Sequence, residues 1–340
     1  MRLPGDKSIA QRALLLRVLV DGPLFVRGLP DGDDVQAARG AVRALASGAE
    51  RIWCGESATL ARLLLGLAAG LGRPLVVDGG ASLRARPMDR VARPLAELFG
   101  GAVLAPLVRG APLVLPLRIE PRAARRHQRI DTRVPSAQVK SALLLAAQAA
   151  GVPVVVREPS PTRDHTERLL AALGADVAAR PRQVRLTPGP LHGGTITLPG
   201  DPSAAALLAA AVVGRPGRRV AFEDVLLNPH RTGFLDVLAR MGAGIALTPS
   251  RRRRGEPVGA LAVTGARLIG VDVLAAEVPA LIDEVPALVA AALCAHGPSR
   301  FAGVAELAVK ESDRLRGLAR LARAFGVRGA VEHGERLVIH

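Results

Sequence analysis

The chain has 340 residues, long enough for two domains of about 100–200 residues each. Its 49% hydrophobic and 22% charged residues make a globular composition and exclude a disordered chain, and charge or glycine breaks its apolar runs before the roughly 18 residues of a membrane span. A net charge of +16 suits nucleic acid, an anionic membrane or small anionic substrates, but with 2% aromatics and no tyrosine little is available to stack on bases.

From the amino terminus, Pro4-Gly5-Asp6-Lys7-Ser8 leads at once into a helix, with no leader ahead of it, so a cytoplasmic protein is expected. Similar helices, opened by a small polar residue and running into Leu and Ala, are predicted after Ser57, Ser136, Ser203 and Asp283. Each opening Ser or Asp is a natural N-cap, and the near-continuous apolar character predicts burial on most sides. A second helix type is amphipathic and ends in Gly48, Gly100, Gly174, Gly242 or Gly326, where a left-handed cap costs little. Short β-branched runs lie between them: PLVVDG, VPVVVRE, GTITLPG and RLVIH. The Pro-Gly-Asp of the opening segment recurs as Pro199-Gly200-Asp201, 195 residues later. The repeating unit is therefore strand, buried helix, strand, amphipathic helix, strands, about 70 residues long. A linear solenoid is disfavoured, because wholly buried helices need cover on all sides.

The charge is unevenly spent. Only Lys7, Lys140 and Lys310 among the 46 basic residues are lysine, and a compact ammonium with a tunable pKa is not interchangeable with arginine. Lys7 and Ser8 sit where the first helix can meet an anion, with Arg12 on the same face as Ser8. Lys310 and Arg314, four apart, would share a helix face, and two cations on one face suggest an anion between them. Lys140 points elsewhere on its helix and reads as structural or peripheral, and His165 and Glu167 as braces of their turn. Asp283 and Glu284 form a carboxylate pair at a predicted helix start. Cys54 and Cys294 give neither a disulfide framework nor a metal spacing.

The ordered motifs PGDKSIAQRALLL, GESATLARLL, ASLRARPMDRVARPL, VPSAQVKSALLLA, TRDHTERLLAALGA, LPGDPSAAALL, NPHRTG, LIDEVPALVAAA and AVKESDRL resemble the 5-enolpyruvylshikimate-3-phosphate synthase family along essentially the whole chain. The resemblance implies an α/β fold, a two-domain inside-out α/β barrel of repeated βαβαββ units closing on substrate in a cleft. Three units fall in a domain at 1–198 and two in a domain at 199–340. Five units are expected because the family's sixth, which straddles the termini, has no counterpart here. The implied reaction moves the enolpyruvyl group of phosphoenolpyruvate to the 5-hydroxyl of shikimate 3-phosphate, with no cofactor and no metal. Neither nucleic acid nor membrane is an expected partner. A monomer is expected, with self-association where the sixth unit leaves apolar faces uncovered.

Residue by residue, the resemblance implies Lys7, Asp283 and Glu311 as proton-transfer groups. It places Lys7, Ser8, Arg12, Ser136, Ala137, Arg163, Asp283 and Lys310 on shikimate 3-phosphate. It places Lys7, Ala58, Arg86, Gln138 and Arg314 on phosphoenolpyruvate. The chain departs from the family pattern at Ala10 and Gln11, where Ser and His are usual, and at Glu56, where asparagine is usual. A carboxylate at position 56 brings negative charge towards an anion site unless it turns away. The competing readings are transfer to another acceptor, such as a UDP-sugar, and a non-catalytic anion- or nucleic-acid-binding protein using Arg251–Arg254, a run in a Gly/Pro-flanked loop that otherwise reads as a solvated turn.

Overall fold

The computed structural model describes residues 1–107, 112–120, 122–125, 128–310 and 312–340. They form two compact units, one of Lys7–Leu198 and one joining Met1–Asp6 to Pro199–His340. The division expected at 1–198 and 199–340 therefore differs at its first six residues. Backbone pairing explains why: Gly5 bridges Gly200, the Asp6 N–H donates to the Pro199 carbonyl at 2.8 Å, and the Asp201 N–H donates to the Pro4 carbonyl at 2.9 Å. The two repeated Pro-Gly-Asp segments thus satisfy each other's main-chain groups.

In the unit Lys7–Leu198 the helices are α1 (Lys7–Leu16), α2 (Asp33–Ala46), α3 (Ala58–Gly70), α4 (Ala81–Arg84), α5 (Asp89–Phe99), α6 (Ala137–Ala150) and α7 (His165–Leu173). The Leu- and Ala-rich α1, α3 and α6 are buried on nearly all faces, as their composition predicts. Ser57 caps α3 through the Leu60 N–H and Ser136 caps α6 through the Val139 N–H, whereas Ser8 lies inside α1. Two four-stranded sheets share one topology. In one the order is Arg51–Trp53, Val76–Asp78, Leu117–Ile119, Leu104–Pro106; in the other it is Gln128–Asp131, Val154–Arg157, Gln183–Thr187, Asp176–Arg180. The first pair of each is parallel and the rest antiparallel. Parallel neighbours need a crossover, which α3 and α6 supply. The remaining strands, Val20–Arg27 and Leu191–Thr197, pair in parallel.

Helices α3 and α6 run parallel and nearly touch. A Cβ on Gly66 would fall 2.2 Å from the Ala142 carbonyl oxygen, and one on Gly70 would fall 2.3 Å from that of Ala146. Gly66→Ala is therefore expected to lower stability by about 1–3 kcal/mol through overpacking, although alanine is the better helix former by about 1 kcal/mol. Thermal unfolding checks this, since a rise in Tm would mean that the helices do not depend on the close approach.

The second unit carries α8 (Pro202–Val213), α9 (Gly233–Arg240), α10 (Val285–Ala292) and α11 (Arg314–Ala324). The sheet Asp272–Val273, Ser299–Phe301, Arg336–Ile339, Gly329–Glu332 repeats the same order and directions. The sheet Arg219–Leu226, Glu256–Thr264, Gly244–Arg253 has two isolated parallel bridges, Arg2 to Glu223 and Gly200 to Val225, in the place of a first strand. Its core centres on Phe222, Phe234 and Phe301 among Leu, Val and Ala.

All five glycines expected to end amphipathic helices have positive φ. Other expectations change. Asp283 does not cap α10, whose N-cap residue is Glu284 with no side-chain capping bond. Asp201, not Ser203, caps α8, because its carboxylate accepts the Ser203 N–H at 2.8 Å. Helix α8 is not covered all round: Leu207 and Leu208 are 61% and 43% exposed. The Arg251–Arg254 run is a strand end and hairpin turn rather than a free loop, with Arg251 and Arg253 both on Asp224 at 2.7 and 2.9 Å. Burial pulls the Asp224 pKa upward, but these two guanidiniums outweigh it and hold the carboxyl below its usual value.

Candidate active site

Helices α3 and α6 are parallel, so their amino-terminal turns meet, and the middle of α1 packs against α3 and reaches α6 through one side chain. Gln11 donates to Ser57 Oγ at 3.2 Å, Gln138 donates to Thr59 Oγ1 at 2.9 Å, and Arg12 Nη2 donates to Ser141 Oγ at 3.1 Å. Two positive helix ends brought together are suited to an anion before any side-chain charge is added. Gln11, the departure from the usual His, is buried and links α1 to the cap of α3.

Gln138 sits in a chain of contacts with its neighbours. Arg62 donates one Nη to Gln138 Oε1 and the other to the Pro87 carbonyl at 3.4 Å. Thr59, Arg62, Gln138 and the turn bearing Arg86 are therefore tied together. Arg86 itself is buried, and its N–H bonds the Leu83 carbonyl at 3.1 Å. That turn is also fastened by a two-toothed pair, Arg84 on Asp78 at 2.9 and 2.8 Å, with Arg84 lying over the Trp53 ring at 5.8 Å. Burial alone would raise the Asp78 pKa. Hydrogen bonds from Arg84 and the Gly79 N–H, with the charges of Arg84 and Arg51, win and lower it.

Lys7 begins α1 and is largely exposed, its ammonium 3.0 Å from Asp34 Oδ2 at the start of α2. Arg12 is buried and donates to Thr166 Oγ1, the Ser8 carbonyl and Ser141 Oγ, so it also braces the unit from within. Ser136, Ala137 and Arg163 are half-buried. Lys140 proves deeply structural: its ammonium lies 2.7 Å from Glu158 and 2.9 Å from Glu167. Burial alone would lower its pKa, but Glu167 and Glu158 raise it, and the lysine stays charged. Burial raises the Glu167 pKa against the pull of Lys140, as expected where one cation faces two carboxylates. Glu158 also accepts from the Thr162 N–H and hydroxyl, which holds the segment leading into Arg163.

In the other unit the two carboxylates of the Asp283-Glu284 pair part company. Asp283 lies 3.5 Å from Lys310 Nζ, both partly exposed. Glu284 is buried, accepts a short hydrogen bond from Ser203 and lies 3.7 Å from Arg231. Arg231, 2% exposed, also pairs with Asp6 at 2.7 Å and Asp201 at 3.1 Å. Burial opposes its charge, but Asp6, Asp201, Glu284 and Asp283 outweigh it and raise its pKa. Both members of the repeated Pro-Gly-Asp thus end on one guanidinium.

The shared helix face expected for Lys310 and Arg314 does not exist. Lys310 has an extended backbone after the 3-10 turn Ala305–Val309, and Asp313 caps α11, which begins only at Arg314. Glu311 lies outside the described residues. Cys54 is buried, and burial followed by Asp78 pushes its thiol pKa up, so it is no nucleophile. Sequence reasoning missed Arg62 and Arg231. Arg62 had a signal, as the lone charge in an otherwise apolar α3; Arg231 stood in a quoted motif without an assigned task.

The repeat of strand, buried helix, strand, amphipathic helix and hairpin is shared in fold with an enolpyruvyl transferase. The enolpyruvyl transferase NikO from Streptomyces tendae has this fold with a TM-score of 0.71 at 17% identity over 100% of this chain and 81% of its own, a likeness of fold alone. More particularly, the chain belongs to the EPSP synthase (3-phosphoshikimate 1-carboxyvinyltransferase) family, whose sequence profile matches residues 46–338. The 3-phosphoshikimate 1-carboxyvinyltransferase of Synechococcus sp. (strain WH7803) is 43% identical over 96% of this chain and 80% of its own length. That of Methylobacterium radiotolerans is 41% identical over 100% and 81%. The structure of EPSP synthase from Acinetobacter baumannii matches with a TM-score of 0.84 at 34% identity, covering 100% of this chain and 81% of that one.

Proposed function

We propose that this chain transfers the enolpyruvyl group of phosphoenolpyruvate to the 5-hydroxyl of shikimate 3-phosphate, releasing phosphate. The observation that carries the reading is the meeting of the parallel α3 and α6 helix ends with Gln138, Arg62 and the Arg86 turn, built from the motifs of the family to which the chain belongs. Both substrates are multiply anionic, and such ends with arginines suit phosphate and carboxylate.

In the proposed division of labour, Ser8, Arg12, Ser136, the Ala137 backbone, Arg163 and Lys310 hold shikimate 3-phosphate. Ala58, Arg86, Gln138 and Arg314 hold phosphoenolpyruvate, and Lys7 touches both. Asp283 takes the proton of the 5-hydroxyl as the oxygen attacks C2 of phosphoenolpyruvate, while C3 gains a proton from Lys7 or Glu311. The resulting tetrahedral ketal phosphate loses a C3 proton and phosphate to give the enol ether. Fixed cations position the reactants and balance the charge that moves. No helix among the described residues is long and apolar enough to cross a membrane. The proposed working form is a monomer in the cytoplasm.

The test is phosphate release from phosphoenolpyruvate by the purified chain, with and without shikimate 3-phosphate. Release that depends on this acceptor supports the reading; none at high enzyme concentration defeats it.

A further inference from the structure

Glu56 offers a carboxylate where an anion site has no use for one, and the structure shows where it goes. Its Oε2 accepts from Ser82 Oγ at 2.6 Å and from the Leu83 N–H at 2.9 Å, in the first turn of α4. The carboxylate thereby stays with donors of its own unit. The effect reaches further through the main chain. The Leu83 carbonyl accepts the Arg86 N–H at 3.1 Å, so the residue whose N–H Glu56 grips is the one on which Arg86 is hung.

Gly80 gives a second, independent sign that the clamp is built. Its φ of −71° is open to any residue, so conformation does not demand glycine. Space does. A Cβ there would lie 1.8 Å from Glu56 Oε1, 2.5 Å from its Cδ and 3.1 Å from Oε2, and its three nearest neighbours are all Glu56 atoms. The Gly80 N–H meanwhile donates to the Gly55 carbonyl at 2.8 Å, closing the two turns on each other.

We propose that Glu56 is a positioning residue that sets the Arg86 turn and, through it, affinity for phosphoenolpyruvate. The proposal rests on the reading of Arg86 as a phosphoenolpyruvate ligand given above. Loss of two hydrogen bonds at an exposed clamp is worth up to about a tenfold change in binding.

The test measures KM for each substrate in the phosphate-release assay, together with amide hydrogen exchange. Glu56→Ala is expected to raise KM for phosphoenolpyruvate about tenfold, with KM for shikimate 3-phosphate changed less than about twofold. Exchange at residues 81–87 is expected to quicken. Glu56→Gln keeps an acceptor oxygen and restores most of both. Gly80→Ala expels the carboxylate and reproduces the Glu56→Ala result. The double variant Glu56→Ala/Gly80→Ala is no worse than Glu56→Ala alone, because the new methyl occupies the vacated space. An unchanged phosphoenolpyruvate KM in Glu56→Ala overturns the proposal, as does an equal rise in both KM values or additivity of the two substitutions. If the wild-type chain releases no phosphate, the reading of its function fails separately. Exchange at 81–87 then decides the clamp: faster in Glu56→Ala supports it, and unchanged overturns it.

Discussion

Lys7→Met is expected to lower kcat for acceptor-dependent phosphate release by about 10²–10⁴-fold, the usual worth of a positioned acid–base group, with no loss of fold. The two halves of this result have separate causes. Lys7 is the one lysine at the amino end of α1, and its side chain is 62% exposed. Its ion pair with Asp34 is a surface contact, worth about 0–1 kcal/mol. Tm should therefore move by only a degree or two, and circular dichroism should match the wild type. Lys7→Arg serves as the control. A guanidinium keeps the charge but delivers a proton poorly, so substrate binding should persist while turnover stays low. Retained turnover in Lys7→Met would remove Lys7 from the proposed chemistry.

Arg231→Met is expected to be the most damaging substitution for stability, about 3–5 kcal/mol, because it strands carboxylates that have no water to turn to. Asp6 and Glu284 have fully buried side chains, Asp201 is 14% exposed, and all three face this one guanidinium. At about 2–4 °C per kcal/mol, Tm should fall by roughly 10 °C. Arg231→Lys keeps the charge but cannot span three acceptors, so it should fall between the two. Adding Glu284→Gln to Arg231→Met removes one stranded charge and should recover part of the loss. A Tm within a degree or two of wild type would show that the cluster carries no such energy.

Much of the fold was legible because it is written in local chemistry. Ser57 and Ser136 announce the starts of α3 and α6, and the glycines at 48, 100, 174, 242 and 326 announce helix ends by needing a left-handed conformation. Runs of Leu and Ala announce helices with no wet face. The same logic failed at α8, whose run PSAAALLAAAVV leaves Leu207 and Leu208 exposed; composition says that a helix wants cover, not that cover is present.

The candidate site was legible as residue types and motif order, and much less as roles. Lys310 and Arg314 looked like neighbours on a helix because they are four apart in sequence; the helix begins only at Arg314, after its Asp313 cap, and leaves Lys310 outside it. Asp283 and Glu284 looked like one feature because they are adjacent in sequence, yet backbone geometry sends one towards Lys310 and buries the other against Arg231.

The sequence by itself determined the repeating unit, the helix ends and the family, all of which depend on short-range spacing and on the order of motifs. Only the tertiary structure decided which charges are spent inside the protein. Of the three lysines that stood out in so arginine-rich a chain, Lys140 is buried between Glu158 and Glu167, whereas Lys7 remains largely exposed and Lys310 partly so. The partners of Lys140, Arg231 and Glu56 come from 18 to 225 residues away in the chain, and an ion pair in a low-dielectric interior is fixed by distance in space, which no local pattern encodes.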